Sequence, residues 1–378
     1  MEIVMTDAYV VIGAGYGDEG KGRVVDYLTM KNTETRTLGV RFNGGAQASH
    51  TVVRGSTRHA FSHFSSVTMR GRDTYLDKNF ILNPYVFMLE WNELKRKGFA
   101  PPRVYVHPDC RVSTPFDMQK NQEEEANRGV NRYGSCGMGI HNTVVRCNKQ
   151  YTRIRNLTTK ESWEDYLTQV KKFYNLEGKE YITRFLEEME FMWKHIKLVP
   201  SEYIYPFYDT VIFEGAQGLQ LDENSKNFPH VTHSKTGLTY IQKDLNSYFD
   251  SVEVNYVTRC YQTKHGAGPF EHENKLTKWA FIIDNTNVPN PWQGTLRLAP
   301  LDTSKLFRII MEDIMNYPLD KATYQLHVTC LDQIFNDLPV IVDGCITEIN
   351  KKDFQKDLYT TSIMLGFQGT RFYDKPYN

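Results

Sequence analysis

The chain lacks an excess of charge of either sign. Its 378 residues carry 45 Lys and Arg against 45 Asp and Glu, so no global field draws it to nucleic acid or to a membrane surface. It lacks long apolar runs as well. None approaches the roughly 20 residues that cross a bilayer, and no signal-peptide pattern is present, which predicts a cytoplasmic protein with no membrane partner. Cysteine is sparse. The six residues Cys110, Cys136, Cys147, Cys260, Cys330 and Cys345 are dispersed, with no C-x-x-C pair. That spacing excludes a zinc knuckle and reads as free thiols in a reducing compartment. Internal repeats and low-complexity linkers are missing too, and the composition shift near residue 150 is soft. One elaborated domain over residues 1–378 is therefore preferred to two separable ones.

What is present suits a packed core: 40% of residues are hydrophobic and 13% aromatic. Apolar strand candidates recur at Tyr9 to Ile12, Gly39 to Phe42, Val104 to Val106, Thr210 to Phe213, Val252 to Val257, Tyr324 to Leu331 and Pro339 to Val342. Helical stretches separate them, which favours an α/β fold with a largely parallel, doubly covered sheet. Lys21 to Met30 reads as a helix with Val24, Val25 and Leu28 buried. Ser162 to Lys197 carries a core-packing stripe (Ile182, Phe185, Leu186, Met189, Met192, Trp193, Ile196), and Gly178 splits it into two helices.

The most informative stretch is Gly13 to Gly22, Gly-Ala-Gly-Tyr-Gly-Asp-Glu-Gly-Lys-Gly, directly after the first strand candidate. A glycine-rich turn between strand and helix exposes N–H groups that can cradle phosphate. Two acids, Asp18 and Glu19, sit inside it. Like charge opposes phosphate binding, so these carboxylates are expected to bind a cation, take a proton, or both. Gly15, Gly17 and Gly20 fit the dinucleotide spacing G-x-G-x-x-G, but the second strand candidate runs into Asn43-Gly44-Gly45 without the acid that would hold a ribose. Gly15 to Lys21 also fit G-x-x-x-x-G-K. There Gly22 replaces the hydroxyl residue that would ligate magnesium, and Asp18 is the nearest substitute.

Other segments are weaker alone. Gln47 and His50 follow the second strand and should converge on the same crevice as Asp18, although a lone histidine is more often structural. Gly134 to Gly139 is a second glycine-rich turn that can wrap phosphate or be an ordinary loop. Phe213-Glu214-Gly215-Ala216-Gln217-Gly218 closes a strand, Phe228 to Thr232 follows, and His265 to Phe270 permits close backbone approach to a planar ligand.

In this order the segments resemble the adenylosuccinate synthetase family. Gly17 to Gly22 match its Gly-Asp-Glu-Gly-Lys-Gly; Arg41, Gly44-Gly45 and Ser49-His50-Thr51 match its next signature; Glu214 to Gly218 and Gly266 to Phe270 match two more, with matches spread over roughly residues 9 to 371. The resemblance implies a P-loop-like α/β fold, with a largely parallel central sheet flanked by helices and a helical insertion at about 158–200. It also implies a C–N ligase using Mg2+, a purine nucleoside monophosphate, a nucleoside triphosphate and L-aspartate, and acting as a homodimer. The 6-oxo group of the purine is phosphorylated, and the amine of aspartate then displaces phosphate. By this likeness Asp18 removes the N1 proton and ligates magnesium with the Ser49 carbonyl. His50 donates to developing charge, with Lys21 and Gln217 completing the catalytic set. Gly17, Glu19, Gly20, Lys21, Gly22, Thr51, Asp332 and Gly369 would hold the donor. Gln47, Ser135, Cys136, Arg146, Gln217 and Thr232 would hold the acceptor, Arg146 reaching a neighbouring subunit's nucleotide in competition with Lys149. Thr295 and Arg297 would meet aspartate.

The chain also departs from the family pattern. Thr329-Cys330-Leu331-Asp332 keeps the acid that reads a guanine donor but loses the lysine, which weakens strict GTP use. Gln47 is one methylene longer than the family's Asn, and only Arg297 remains of the arginine-rich aspartate loop. These changes resemble phage relatives that make 2-aminoadenylosuccinate from dGMP and accept adenine donors, although several of those replace the loop aspartate that is kept here as Asp18. The preferred acceptor is accordingly dGMP or GMP. IMP with GTP is the alternative, and a non-catalytic nucleotide-binding regulator is a further one. A dinucleotide oxidoreductase is disfavoured by the missing ribose acid.

Overall fold

The computed structural model describes residues 6–176, 181–273, 282, 284, 286–287, 289 and 292–375. Nine strands form its main sheet, in the spatial order Gly369–Phe372, Ala322–Thr329, Ser251–Arg259, Asp7–Gly13, Thr210–Gly218, Thr37–Arg41, Asp73–Leu76, Val104–Val106, Ile196–Leu198. Every neighbouring pair is parallel. A parallel sheet is covered on both faces, so its inner strands are apolar throughout rather than alternating. Val10, Val11 and Ile12 of the central strand are fully buried, as are Val211, Ile212 and Phe213 beside it.

All seven strand candidates are strands. Six lie in the main sheet; the seventh falls within Asp337–Val342, in a separate four-stranded sheet. The candidate Tyr324 to Leu331 runs two residues too far. The strand stops at Thr329 because Cys330 takes a left-handed conformation (φ 62°). Strands Asp73–Leu76, Ile196–Leu198 and Gly369–Phe372 are not among the candidates: polar residues (Asp73 and Thr74, Lys197, Thr370 and Arg371) interrupt them, whereas the equally short Val104–Val106 is apolar throughout.

The helical insertion consists of Lys160–Tyr174, started by the Thr159–Ser162 capping box, and Ile182–His195. Gly178 itself lies outside the described residues. Phe185, Met189 and Met192 are buried among Phe64, Phe87, Trp163 and Leu167, so the stripe is core. Among the described residues no helix is long and apolar enough to cross a membrane.

The central strand Asp7–Gly13 divides the sheet. The chain leaves it for Thr37–Arg41 on one side and later reaches Ser251–Arg259 on the other. Such a switch point opens a crevice beyond the carboxyl ends of the strands. The loops after Gly13, Arg41, Gly218, Arg259 and Thr329 all end there.

Candidate active site

These loops enclose a cleft of about 1130 Å³, more than the roughly 300–1,000 Å³ that suits one small ligand. Asp18, Lys21, Gly22, Gln47, Ser49, His50, Thr51, Gln217, Thr232, Ser135, Cys136 and Asp332 all line it. Residues from across the sequence therefore meet in one place.

The two neighbouring acids of the glycine turn face opposite ways. Glu19 is buried beneath the turn: its Oε1 accepts from the N–H groups of Gly15 (3.1 Å) and Gly17 (2.8 Å), and its Oε2 from Lys21 Nζ (2.6 Å). A Cβ on Gly13 or Gly218 would stand 2.3 Å from that carboxylate, so these glycines make room for it. Burial pushes the Glu19 carboxyl up, but Lys21 and the turn N–H groups prevail and hold it below the ordinary range. The Glu19 carboxylate holds the turn, which leaves only its backbone to frame phosphates, and one expectation is corrected: the N–H of Gly17 is spent on that carboxylate.

Asp18 takes a left-handed backbone (φ 61°) that turns it into the cleft. Its carbonyl accepts from Arg259 Nε (2.5 Å), and its Oδ2 lies 3.3 Å from His265 Nε2. Arg259 is in turn held by Asp284 (3.0 Å). The missing hydroxyl at Gly22 has a packing cause, since a Cβ there would come within 2.8 Å of the Thr51 carbonyl. Helix Lys21–Lys31 and strand His50–Arg54 approach too closely for any side chain.

His50 is fixed by a residue to which the sequence reading gave no role. Glu214, fully buried in the middle of strand Thr210–Gly218, accepts from His50 Nδ1 (2.6 Å), Ser65 Oγ (2.7 Å), Ser66 N (2.8 Å) and Ser66 Oγ (2.5 Å). Burial pushes this carboxyl up, yet His50, Arg41 and Ser66 bring it down to about 2, so it stays ionised. Burial also lowers the His50 imidazole, against the pull of Glu214. With Nδ1–H committed to Glu214, Nε2 is the nitrogen left for chemistry; it sits 3.3 Å from the Ala216 carbonyl. The signal in the sequence was an acid continuing an all-apolar parallel strand, a costly placement unless donors surround it. Arg41 and Asn43 are scaffolding: Arg41 donates to the Ala48 carbonyl (2.9 Å), and Asn43 bridges the Ala216 N–H (2.8 Å) and the Lys235 carbonyl (2.7 Å).

Across the cleft, Ser135 is hydrogen-bonded to Asn121 (2.9 Å), and burial pushes the Cys136 thiol up to about 11, leaving it neutral. His141 and His233 stack with centroids 3.7 Å apart, and burial lowers both, His233 to about 4. The two imidazoles are neutral at pH 7, and Glu124, Glu125 and Arg128 line the cleft on the same side. The Gln47 amide is buried in the cleft wall, with neither its nitrogen nor its oxygen hydrogen-bonded among the described residues. It can turn toward a ligand without breaking a bond.

Three further expectations fail on geometry. Arg146 is fully buried and paired with Asp117 through two 2.8 Å bonds, so it cannot extend to a neighbouring subunit. Lys149, one turn along the same helix, is exposed. Arg297 is absorbed by Glu273 (2.5 Å) and the carbonyls of Gly266 and Gly268 (2.9 and 3.0 Å); neither it nor Thr295 lines the cleft. Gly369 pairs with Gln325 at the start of its strand. Three residues at ~3.3 Å each separate it from the carboxyl end that faces the cleft.

A magnesium ion fits what is present. Among the described residues no group of three or more ligating side chains occurs, but this ion keeps several waters and takes one or two protein oxygens. Asp18 and Ser49, both on the cleft wall, can supply them.

The family model described as adenylosuccinate synthetase matches residues 10–287, which leaves Asp332 and Gly369 beyond the matched stretch. Curated adenylosuccinate synthetases from Chromohalobacter salexigens and Marinobacter nauticus are each 30% identical over 283 residues, 70% of this chain and 64% of theirs. The chain thus matches about 64% of the length of these relatives. In fold it is similar to a fully ligated adenylosuccinate synthetase from Plasmodium falciparum (TM-score 0.77, 17% identity, 97% of both chains). It is also similar to the succinoaminodeoxyadenylate synthetase of cyanophage S-2L bound to dGMP and dATP (TM-score 0.65, 14% identity, 98% of this chain and 93% of that one).

Proposed function

Because the chain belongs to the adenylosuccinate synthetase family, we propose that it joins L-aspartate to C6 of a 6-oxopurine nucleotide at the expense of a nucleoside triphosphate. The observation that carries this reading is the convergence of Asp18 and the Glu214-held His50 on one cleft, beside the Lys21 end of a helix. Asp18 takes the proton from N1 of the acceptor, so that O6 attacks the terminal phosphorus and the bond to the leaving diphosphate breaks. His50 presents Nε2 to the charge that develops on the oxygens, its imidazolium form stabilised by Glu214. The N-terminal N–H groups of helix Lys21–Lys31 face the same anionic groups. The amine of aspartate then attacks C6, the C6–O bond breaks, and phosphate leaves. Magnesium held by Asp18 and Ser49 would neutralise donor phosphate charge.

For the acceptor we favour a 2-amino purine, GMP or dGMP, with an adenine donor. Support comes from the unspent amide of Gln47, which has one donor group and one acceptor to offer a base edge, and from Cys330 on the donor side, where no lysine stands beside Asp332 to read guanine. The 30% identity to curated adenylosuccinate synthetases favours a second reading, IMP with GTP. A homodimer, with Lys149 rather than Arg146 reaching across, belongs to the same proposal and is read by sedimentation. The deciding assay supplies IMP, GMP or dGMP with aspartate, magnesium and either ATP or GTP, and identifies products by mass. A succinylated 2-amino product made with ATP is expected; turnover of IMP alone with GTP alone overturns the acceptor reading.

A further inference from the structure

Asp18 is gripped from one side. The strand Ser251–Arg259 ends in Arg259, which holds the Asp18 carbonyl (2.5 Å), and the following loop brings His265 Nε2 to 3.3 Å from Oδ2. Among the described residues this 3.3 Å approach is the one ion-pair contact of that carboxylate. A carboxylate only accepts, so a hydrogen bond between the two requires the imidazole proton on Nε2. Nδ1 is buried and has no hydrogen-bond partner among the described residues, so no acceptor there holds the proton on that side of the ring. The ion-pair contact that His265 makes among the described residues is with Asp18. Its loop is itself braced, because Arg297 binds the carbonyls of Gly266 and Gly268 and pairs with Glu273.

We propose that His265 is a positioning residue for the reaction: it pins Oδ2 of Asp18 and so fixes which way the second oxygen, Oδ1, faces. What Asp18 then does rests on the ligase reading above; the contact itself does not. A side chain with 24% of its surface exposed would otherwise rotate freely, and a misplacement of about 1 Å can cost roughly 100-fold in rate.

His265→Gln keeps an N–H donor at the distance of Nε2, whereas His265→Leu removes it and His265→Asn is too short to reach. The Leu and Asn variants should lose on the order of 10- to 100-fold in kcat, with nucleotide KM within about twofold. The Gln variant should recover to within about threefold of wild type. Equal rates in Gln and Leu, or losses confined to KM, overturn the proposal, and the Asn variant decides if the Leu variant does not fold. A second arm needs no turnover. In protein labelled with 15N-histidine, His265 should be in the Nε2–H tautomer, with its signals shifted by Asp18→Asn; an Nδ1–H tautomer, or no response to Asp18→Asn, overturns the pairing. Wild type that is inert with every acceptor sinks the ligase reading, while this spectrum still judges the contact.

Discussion

Glu214→Gln is the sharpest test of the reaction centre, because the geometry allows the substitution only one arrangement. All four groups around the carboxylate (His50 Nδ1, Ser65 Oγ, Ser66 Oγ and Ser66 N) act as donors. The backbone N–H of Ser66 cannot reverse, so the amide oxygen of Gln must take the Oε2 position, and its NH2 then faces His50. Ser66 Oγ can rotate to accept, but His50 must surrender Nδ1–H and move its proton to Nε2. The variant loses a 2.6 Å charge-assisted bond and the anion that offsets an imidazolium. Hydrogen bonds to charged groups contribute about 1.5–3 kcal/mol, which converts to roughly 10- to 150-fold, and loss of the counter-charge enlarges it. We expect kcat to fall by roughly 100- to 1,000-fold with nucleotide KM within about threefold, since Glu214 is fully buried beneath the cleft. For comparison, removing the carboxylate charge in the serine-protease triad costs about 10⁴. The stability side has a definite sign. The folded carboxyl titrates at about 2 against 4.5 ordinarily, so its contribution, roughly 3 kcal/mol by linkage, is present above pH ~4.5 and fades as pH falls toward 2. A kcat within fivefold of wild type, or a loss lying wholly in KM, would refute the role given to the pair.

Three further outcomes follow from named contacts. Gly22→Ser, which restores the hydroxyl of a conventional phosphate loop, should destabilise by about 1–3 kcal/mol without tightening magnesium, because its Cβ meets the Thr51 carbonyl at 2.8 Å; thermal melts and Mg2+ titration decide. Asp77 is 1% exposed, and burial, offset only in part by the Lys78 N–H, pushes it up to about 7 from 3.8. The folded state therefore binds the extra proton between these values, and stability drains away as pH rises through them. Asp77→Asn should flatten that slope and gain at pH 8, with a ceiling of roughly 4 kcal/mol; parallel urea-unfolding profiles for the two proteins would contradict it. Arg297→Ala and Glu273→Ala should change aspartate KM equally and non-additively, as partners in one strut, whereas an effect confined to Arg297→Ala would place its guanidinium on the dicarboxylate.

The fold was legible wherever a sheet strand is an unbroken apolar run, as in Tyr9 to Ile12 and in the short Val104–Val106. It was illegible at Asp73–Leu76 and Ile196–Leu198, where Asp73, Thr74 and Lys197 break the run. Sequence order also hid direction. The family likeness puts Gly369 at the donor, yet a strand has two ends, and this glycine is at the one away from the cleft. Arg146 failed for a related reason. The family likeness sends it outward to a neighbouring subunit, whereas Asp117, 29 residues earlier, draws it inside.

The glycine turn shows most clearly what a motif leaves unsaid. Asp18 and Glu19 are adjacent and chemically alike, and the glycine-rich motif alone assigns both the same two tasks, cation and proton. Their separation comes from backbone conformation. A left-handed Asp18 (φ 61°) followed by a left-handed Gly20 (φ 91°) puts consecutive side chains on opposite sides of the turn. Once they are opposed, one carboxylate consumes the N–H groups of Gly15 and Gly17 together with Lys21, and the other is left free of the turn. The glycines at 13 and 218 then read as space for a carboxylate, not as flexibility for a phosphate. It follows that Glu19→Gln should collapse the turn and abolish nucleotide binding as well as turnover, while Asp18→Asn should spare binding and remove turnover. Equilibrium nucleotide titration of the two variants separates these outcomes, and equal retention of affinity in both would show that the acids are not divided in this way.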